Sequence, residues 1–210
     1  MLVFAENHCI KQINRGNILY LEEIFYFYLF SIGKNLIYEK GFISPQTFKN
    51  IVSTALRLKK EKWAQSFIKK YAEKVVKQNQ ANAFNYNMAN VHYSQEQYGA
   101  CLKLLQKVNF KEAFYGFDAK VLMLKTFYEQ GDYYALDRFW FSFYMYIKRN
   151  HYISDTHKTS YLNFLKYTKK LVAVNKTDVL KIADIKTEIQ NTQPISNINW
   201  LLEMVKKKLS

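Results

Sequence analysis

Glycine and proline are scarce in this chain, whose 210 residues include 6 glycines and 2 prolines. An all-β fold of this length would need turn residues between many short strands, so the shortage argues against one. Long segments without such breakers, with apolar residues at helical spacing, are typical of helices. The sequence therefore predicts an all-α fold of about eleven helices and no sheet.

Cysteine is also scarce, with Cys9 and Cys101 far apart in the sequence and no CxxC motif. A structural zinc site or a redox pair would need closely spaced cysteines. We expect two free thiols in a reducing compartment, with no disulfide between them. Cys101 falls among the small residues of a predicted helix pair, so we expect it to be buried there.

Motifs for catalysis and for cofactor or metal binding are missing from the sequence. There is no Walker loop and no GxGxxG, GxSxG or HExxH motif. Four histidines occur, none in metal-ligand spacing: His8, His92, His151 and His157. We therefore expect no catalytic residue, no cofactor and no metal, and we interpret the protein as not an enzyme.

Long hydrophobic runs are missing as well. The most apolar run, Ile24 to Ile32, follows Glu22 and Glu23 and is too short to span a bilayer. The start of the chain lacks the basic region and cleavage site of a signal peptide. These observations predict a cytoplasmic protein without a membrane partner.

Negative charge is in short supply, because 17 acidic residues accompany 31 basic ones, for a net charge of +14. The excess lies towards the ends: residues 1–78 carry +7 and residues 154–210 carry +5, against +2 for residues 79–153. Such a balance attracts nucleic acid or acidic proteins, and it also fits a lysine-rich solvated surface. A nucleic-acid-binding helical repeat that uses the basic N- and C-terminal segments is therefore an alternative function.

Aromatic residues are plentiful by contrast, and a run of them lies in a predicted helix over residues 17–38. Its centre reads Phe25-Tyr26-Phe27-Tyr28-Leu29-Phe30. A helix that is apolar all round is expected to be buried on several sides. Because its apolar residues cannot all face one side, we expect a homodimer contact through helix 17–38, or a missing N-terminal partner, to cover the remainder.

A shift of 35 residues lays segment 82–149 over itself and over the residues before it. Three columns then recur: Trp63, Tyr98 and Tyr133; Thr54, Ala89 and Leu124; and Leu58, Tyr93 and Tyr128. Self-similarity near this period is typical of stacked helix pairs, each too small to bury its own apolar face. We predict a single domain over residues 1–210. It comprises an N-terminal helix pair (1–43), three repeat pairs (44–149) and C-terminal capping helices (150–210).

Individual residues set several predicted helix ends. Ser44 is a natural N-cap before Pro45. Gly131-Asp132 forms a turn, and Ser154 and Ser196 begin later helices as caps. The predicted helices cover 2–13 (ending near Arg15-Gly16-Asn17), 17–38, 45–58, 63–77, 81–94, 97–108, 111–130, 133–149, 155–174, 177–190 and a last helix after Ser196.

The segment from Asn87 to Leu102 resembles a tetratricopeptide repeat (TPR). Met88-Ala89 stand where that family has Leu-Gly. Tyr98 stands at its helix-B aromatic position, and Cys101 at its small alanine.

The resemblance extends over residues 47–149. The next copy carries the turn and aromatic signature in Gly131-Asp132-Tyr133, and Trp63 and Ser66 stand at the corresponding places in the first copy. It implies a TPR-like right-handed superhelix, an α-solenoid of antiparallel helix pairs. It also implies a non-enzymatic scaffold that binds a peptide or helix of a partner protein on its concave face.

The chain is also similar to the C-terminal part of longer, uncharacterised bacterial TPR-like proteins. The similar segments are Ile13-Asn14-Arg15-Gly16, Ser44 to Ile51 and Tyr161-Leu162-Asn163-Phe164. This similarity implies a third class of function, a structural C-terminal domain of a larger protein.

Two stripes of side chains define the predicted binding groove. Neighbouring pairs in such a stack place their first helices side by side, so we expect the stripes at 83–93 and 118–128 to be adjacent. The groove would be centred on tyrosines, an amide and a cation, namely Tyr86, Asn90, Tyr93, Lys125 and Tyr128. Such residues combine contact area with adaptable hydrogen bonds. The alternative is that the tyrosines only pack neighbouring helices.

Overall fold

The structure, a computed structural model, describes residues 2–14, 17–110 and 113–210. These residues form eleven α-helices and one short β-hairpin, which confirms the predicted all-α class. They group into two compact units, Met1–Thr126 and Phe127–Ser210. This division does not coincide with the predicted boundaries near residues 43 and 150, and the single-domain organisation stays a prediction. The predicted helix end at Arg15-Gly16 and the predicted helix start at Lys111 lie outside the described residues.

Unit 1 contains six whole helices, the hairpin and most of a seventh helix. Its elements are α1 (Leu2–Asn14), α2 (Tyr20–Gly33), β1 (Tyr38–Glu39), β2 (Phe42–Ile43), α3 (Pro45–Arg57), α4 (Glu61–Tyr71), two 3-10 turns (Ala72–Lys74 and Lys77–Asn79), α5 (Gln80–Ser94), α6 (Tyr98–Leu105) and α7 (Ala113–Gln130), which continues into unit 2.

Helix α3 begins as its sequence predicts. The backbone N–H of Thr47 donates to Ser44 Oγ at 3.0 Å, and Pro45 occupies the first turn, where its missing N–H is not needed. Phe48, Ile51 and Ala55 follow at helical spacing and are fully buried. Helix α3 therefore faces the core of unit 1 along its whole length.

Helix α2 is shorter than predicted, because it ends at Gly33 rather than Tyr38. Asn35 adopts a left-handed backbone (φ 57°), and the N–H of Leu36 donates to the carbonyl of Ser31 at 2.8 Å. This is the Schellman arrangement, which closes a helix end with a left-handed residue, and asparagine tolerates that conformation better than most residues. An antiparallel hairpin of β1 and β2 follows, so the expectation that the chain contains no sheet was wrong in this detail.

Helices α3, α5 and α7 end with the same backbone turn. The turn contains one residue with a left-handed backbone: Lys59, Glu96 and Gly131 have φ of 57°, 57° and 76°. In each case a single residue stands between this one and the start of the following helix, which is α4, α6 or α8. Each second helix thus starts two residues after the left-handed residue. The last two turns are 35 residues apart, as predicted, but the first two are 37 apart, so the 35-residue period is not constant.

The extra length lies between α4 and α5, where the prediction of one helix over 63–77 was wrong. Helix α4 ends at Tyr71, and two 3-10 turns lead to α5. Between them, Val75 forms a parallel bridge with Ile43 of β2, and both residues are fully buried. Since an extended residue at this point pairs with a distant strand, local helical periodicity could not reveal the break.

Unit 2 contains the end of α7 and four helices. They are α8 (Tyr133–Arg149), α9 (Asp155–Ala173), α10 (Val179–Asn191) and α11 (Ile198–Leu209). Its core consists of apolar side chains that recur at helical spacing along these helices, including Phe143, Ile147, Phe164, Leu165, Leu171, Ile182, Ile189, Leu201 and Met204.

Three helices of unit 2 begin with side-chain caps. Asp132, Ser154 and Asp178 each accept a hydrogen bond from the backbone N–H three residues later. The predicted cap at Ser196 was wrong: the residue before α11 is Asn197, which has a left-handed backbone (φ 53°) and makes no side-chain cap bond. The N–H of Ser196 instead donates to the carbonyl of Ser160 on α9 at 3.1 Å.

Candidate interaction site

Four of the five predicted groove residues lie in unit 1, and they differ in exposure. Tyr86 is 9% exposed, and its ring centroid lies 5.3 Å from that of Tyr115 on α7. Tyr115 is itself fully buried. Tyr86 therefore contributes to the packing between α5 and α7, whichever ligand the surface binds.

The amide of Asn90 is anchored on its own helix. Its Nδ2 donates to the backbone carbonyl of Tyr86 at 2.9 Å, while the side chain stays half-buried. This bond fixes the amide on α5 between Tyr86 and Tyr93. The side chain therefore has a defined direction before any ligand arrives.

Tyr93 and Lys125 are brought together from two helices. Lys125 Nζ lies 5.2 Å from the ring centroid of Tyr93, within the range of a cation–π contact, and both residues are half-buried. The Tyr93 ring also lies 6.1 Å from that of Tyr98 at the start of α6. An aromatic ring and an ammonium ion thus occupy one place on unit 1.

Helices α3, α5 and α7 run side by side in unit 1 in the same direction. Lys49 of α3 pairs with Asp118 of α7 at 2.7 Å, just as Tyr86 and Tyr93 of α5 contact Tyr115 and Lys125 further along α7. Asp118, which belongs to the predicted stripe at 118–128, therefore forms an ion pair within unit 1.

Tyr128 belongs to unit 2, where it packs against other rings. It is 7% exposed, and its ring centroid lies 5.3 Å from Trp200 on α11 and 6.0 Å from Tyr133. Burial raises the pKa of its hydroxyl above the ordinary value, with smaller contributions from Tyr133 and Glu129. Trp200 in turn donates its Nε1–H to Glu129 Oε1 at 2.7 Å. Tyr128 thus belongs to the α7–α11 contact of unit 2.

Two cavities lie away from the predicted groove residues. One of about 500 Å³ in unit 2 is lined by residues of α9 and α10, and one of about 210 Å³ in unit 1 lies between α1, α2 and α3. Four charged groups that line the larger cavity form two pairs, since Lys170 Nζ lies 2.7 Å from Glu188 and Lys181 Nζ 2.6 Å from Asp178; Asp184 lines it as well. The bond from Lys170 holds the pKa of Glu188 below its ordinary value.

Two of the four histidines, which are common ligands of metal ions, form hydrogen bonds with nearby side chains. His92 Nδ1 lies 2.6 Å from Gln97 Oε1, and His157 Nδ1 lies 2.9 Å from Ser154 Oγ at the start of α9. Among the residues that the structure describes, no three His, Cys, Asp or Glu side chains come close enough to hold a metal ion.

Sequence reasoning did not resolve which side of α2 is exposed. Tyr26 is 68% and Phe30 54% exposed, whereas Phe25 and Tyr28 on the opposite side are buried. Phe25 packs edge-on against Trp63 of α4 at 4.9 Å. The spacing of four residues between Tyr26 and Phe30 was the available signal for a shared surface row.

Comparisons with protein-family models, with curated proteins and with solved structures each found no match for this chain. Within the described part of the chain, no helix combines the length and apolar character that crossing a membrane requires.

Proposed function

We propose that the protein is a non-enzymatic interaction module that binds an acidic peptide or helix at the Tyr93–Lys125 pair. The observation that carries this proposal is the 5.2 Å contact that joins the two residues from α5 and α7. The ring offers apolar area, and the ammonium ion favours a carboxylate. Asn90 adds an amide one turn earlier on α5. Excess positive charge on the chain steers acidic partners towards such a site.

We also propose that the helix pairs are TPR-like repeats that stack as an α-solenoid. The shared turn at Lys59, Glu96 and Gly131 supports this, because three helix pairs join their two helices through the same left-handed backbone conformation. The side-by-side first helices of unit 1 support it as well. In that architecture the first helices line the concave face, which is where Tyr93 and Lys125 would meet a ligand.

Selection of random peptides displayed on phage tests the proposal directly. Peptides that bind the wild-type protein should be enriched in Asp and Glu. Replacing Lys125 by alanine (Lys125→Ala) should weaken a selected peptide by roughly tenfold or more, because a hydrogen bond to a charged group contributes about 1.5–3 kcal/mol. Isothermal titration of the synthetic peptide measures the change.

Lys103→Ala is the matched control, since Lys103 is an exposed lysine on α6. It removes the same charge from the same unit, so an equal loss of affinity would show that only overall charge matters. Selected peptides without acidic residues, or peptides that bind Lys125→Ala as tightly as the wild type, would refute the acidic-peptide site.

Nucleic-acid binding is a second candidate, favoured by a row of aromatic–cation contacts in unit 2. Lys169 Nζ lies 4.6 Å from the ring of Trp140, and Lys148 Nζ lies 5.7 Å from the ring of Tyr144. The two rings stack at 5.4 Å with an interplanar angle of 8°. Rings flanked by cations are what single-stranded nucleic acids stack on.

The basic C-terminal segment supports this candidate less than its sequence predicts. Lys207 Nζ pairs with Glu129 at 3.0 Å and with Glu203 at 3.3 Å, and Lys208 Nζ donates to the carbonyl of Val174 at 2.9 Å. Both cations therefore make internal bonds that a phosphate would have to displace.

Fluorescence anisotropy with labelled oligouridylate tests the second candidate. Affinity should fall steeply with added salt, and Lys148→Ala should reduce the slope of that dependence by about one. Absence of binding at low salt would exclude the candidate.

A further inference from the structure

One surface row of α2 carries two charges and two aromatic rings at intervals of four residues. The row is Glu22, Tyr26 and Phe30 of α2 with Lys34, the residue that follows its last turn, and all four residues are exposed. Residues four apart line up as a ridge on the surface of a helix. From the start to the end of α2, this ridge therefore presents an acid, two aromatic rings and a base.

The two end charges have no ion-pair partner within the described residues. The salt bridges of unit 1 in that part of the chain do not include Glu22 or Lys34. Each charge sits at the end of α2 that its sign favours, the acid at the positive N-terminal end and the base at the negative C-terminal end. Both remain able to pair with a charge brought by another molecule.

We propose that α2 forms the contact of a homodimer, with this ridge packed antiparallel against the same ridge of a second copy. Pairing about the midpoint between Tyr26 and Phe30 sets Tyr26 opposite the second copy's Phe30. The same register sets Glu22 opposite the second copy's Lys34. One arrangement thus satisfies the aromatic residues and both charges at once, as a two-fold symmetric contact requires.

Parallel pairing of the two ridges is unfavourable because of the same two charged side chains. It would place Glu22 beside its own counterpart and Lys34 beside its own, so that like charges oppose each other at both ends. An unrelated helix that packs antiparallel on this ridge would need to carry the same order of acid, rings and base by coincidence. The order on this helix therefore favours a second copy of the chain as the occupant.

Further apolar side chains are exposed on α2 and on the segment that follows it. Leu29 lies next to the ridge on α2, and Leu36 and Phe42 of the following segment are about half-exposed. A stable interface buries roughly 800 Å² on each partner, more than one ridge of a short helix supplies. The hairpin that follows α2 therefore belongs to the proposed contact.

Charge reversal tests this pairing. Wild-type protein should sediment as a dimer, whereas Glu22→Lys and Lys34→Glu should each weaken the dimer by about tenfold or more, because each creates facing like charges. A mixture of the two variants should form a 1:1 heterodimer, since each variant carries the charges that the other lacks. The double variant Glu22→Lys/Lys34→Glu should dimerise again.

Asp184→Lys is the matched control, since it makes the same change of charge at an exposed residue of α10 in unit 2; it should leave the dimer intact. Far-UV circular dichroism checks that each variant keeps its helices. A wild-type protein that stays monomeric at all accessible concentrations would overturn the proposal. A dimer that resists both reversals, or two variants that do not associate on mixing, would overturn it as well.

Discussion

Helices α5 and α2 differ in a way that their compositions do not predict. Helix α5 is rich in asparagine and alanine, yet Asn82, Ala83, Tyr86, Asn87, Met88, Ala89 and Val91 are all buried. Helix α2 is rich in aromatic residues, yet Tyr26 and Phe30 are exposed. The more polar helix is the more deeply buried of the two.

Neighbours in the fold explain the difference. Helix α5 lies against α3, α4, α6 and both 3-10 turns, whereas α2 packs on α1 and α3 and reaches α4 through Phe25 and Trp63. The buried amides of α5 are satisfied, since Asn82 exchanges hydrogen bonds with the backbone of Asn109 at 2.8 and 3.1 Å. For these two helices, the number of neighbouring elements, and not the apolar content, therefore decides which one is more deeply buried.

Truncating one tyrosine on each helix should give the largest difference. Tyr86→Ala removes a buried ring from the contact with Tyr115, and it should lower the free energy of unfolding by about 3 kcal/mol. Tyr26→Ala removes an exposed ring and should change it by less than about 0.5 kcal/mol. Urea unfolding, at a protein concentration low enough for a monomer, measures both.

A small loss for Tyr86→Ala would mean that the site collapses around the missing ring. In that case the ring would add little to the free energy of unfolding, which would favour the predicted role of Tyr86 in the groove over a role in packing alone. A large loss for Tyr26→Ala would show that α2 packs on the rest of unit 1 through its exposed side.

Glycine at the left-handed residue that ends each helix should have a smaller effect. Glu96→Gly should stabilise the protein by about 1 kcal/mol, because a residue with a Cβ is strained at φ 57°. Asn35→Gly, at the end of α2, should change little, since asparagine tolerates this conformation. Thermal unfolding of the two variants, side by side, makes the comparison, and equal shifts would contradict it.

The two cysteines should differ in how fast a thiol reagent labels them. Cys101 is fully buried on α6, with its Sγ 3.5 Å from Thr126 Oγ1, and burial raises the pKa of its thiol to about 11. Cys9 on α1, the helix that packs on α2, is half-buried. A thiol reagent at neutral pH should therefore label Cys9 first and reach Cys101 only after unfolding, because the thiolate is the reactive form. Mass spectrometry of the native protein gives the order, and early labelling at Cys101 would contradict the burial.

The sequence predicted helix type and many helix starts, because those depend on local chemistry. Ser44 with Pro45, and Gly131 with Asp132, act within one turn of the chain, and both places came out as predicted. The break after Tyr71 depends on a bridge to a residue 32 positions earlier in the chain, which no local pattern records. The surroundings of the predicted groove residues were harder to predict for the same reason: Tyr93 and Lys125 lie in contact, but the burial of Tyr86 and Tyr128 depends on Tyr115 and Trp200.

The bridge between Ile43 and Val75 links the motions of two connecting segments. The chain between α2 and α3 and the chain between α4 and α5 are both fastened at this point, and Gln80 adds a bond from its Nε2 to the carbonyl of Val75 at 3.1 Å. Neither segment can open to solvent without releasing the other, so they form one cooperative unit of local unfolding. In amide hydrogen exchange the two segments should lose protection together, at a single rate, although Ile43 and Val75 lie 32 positions apart in the chain.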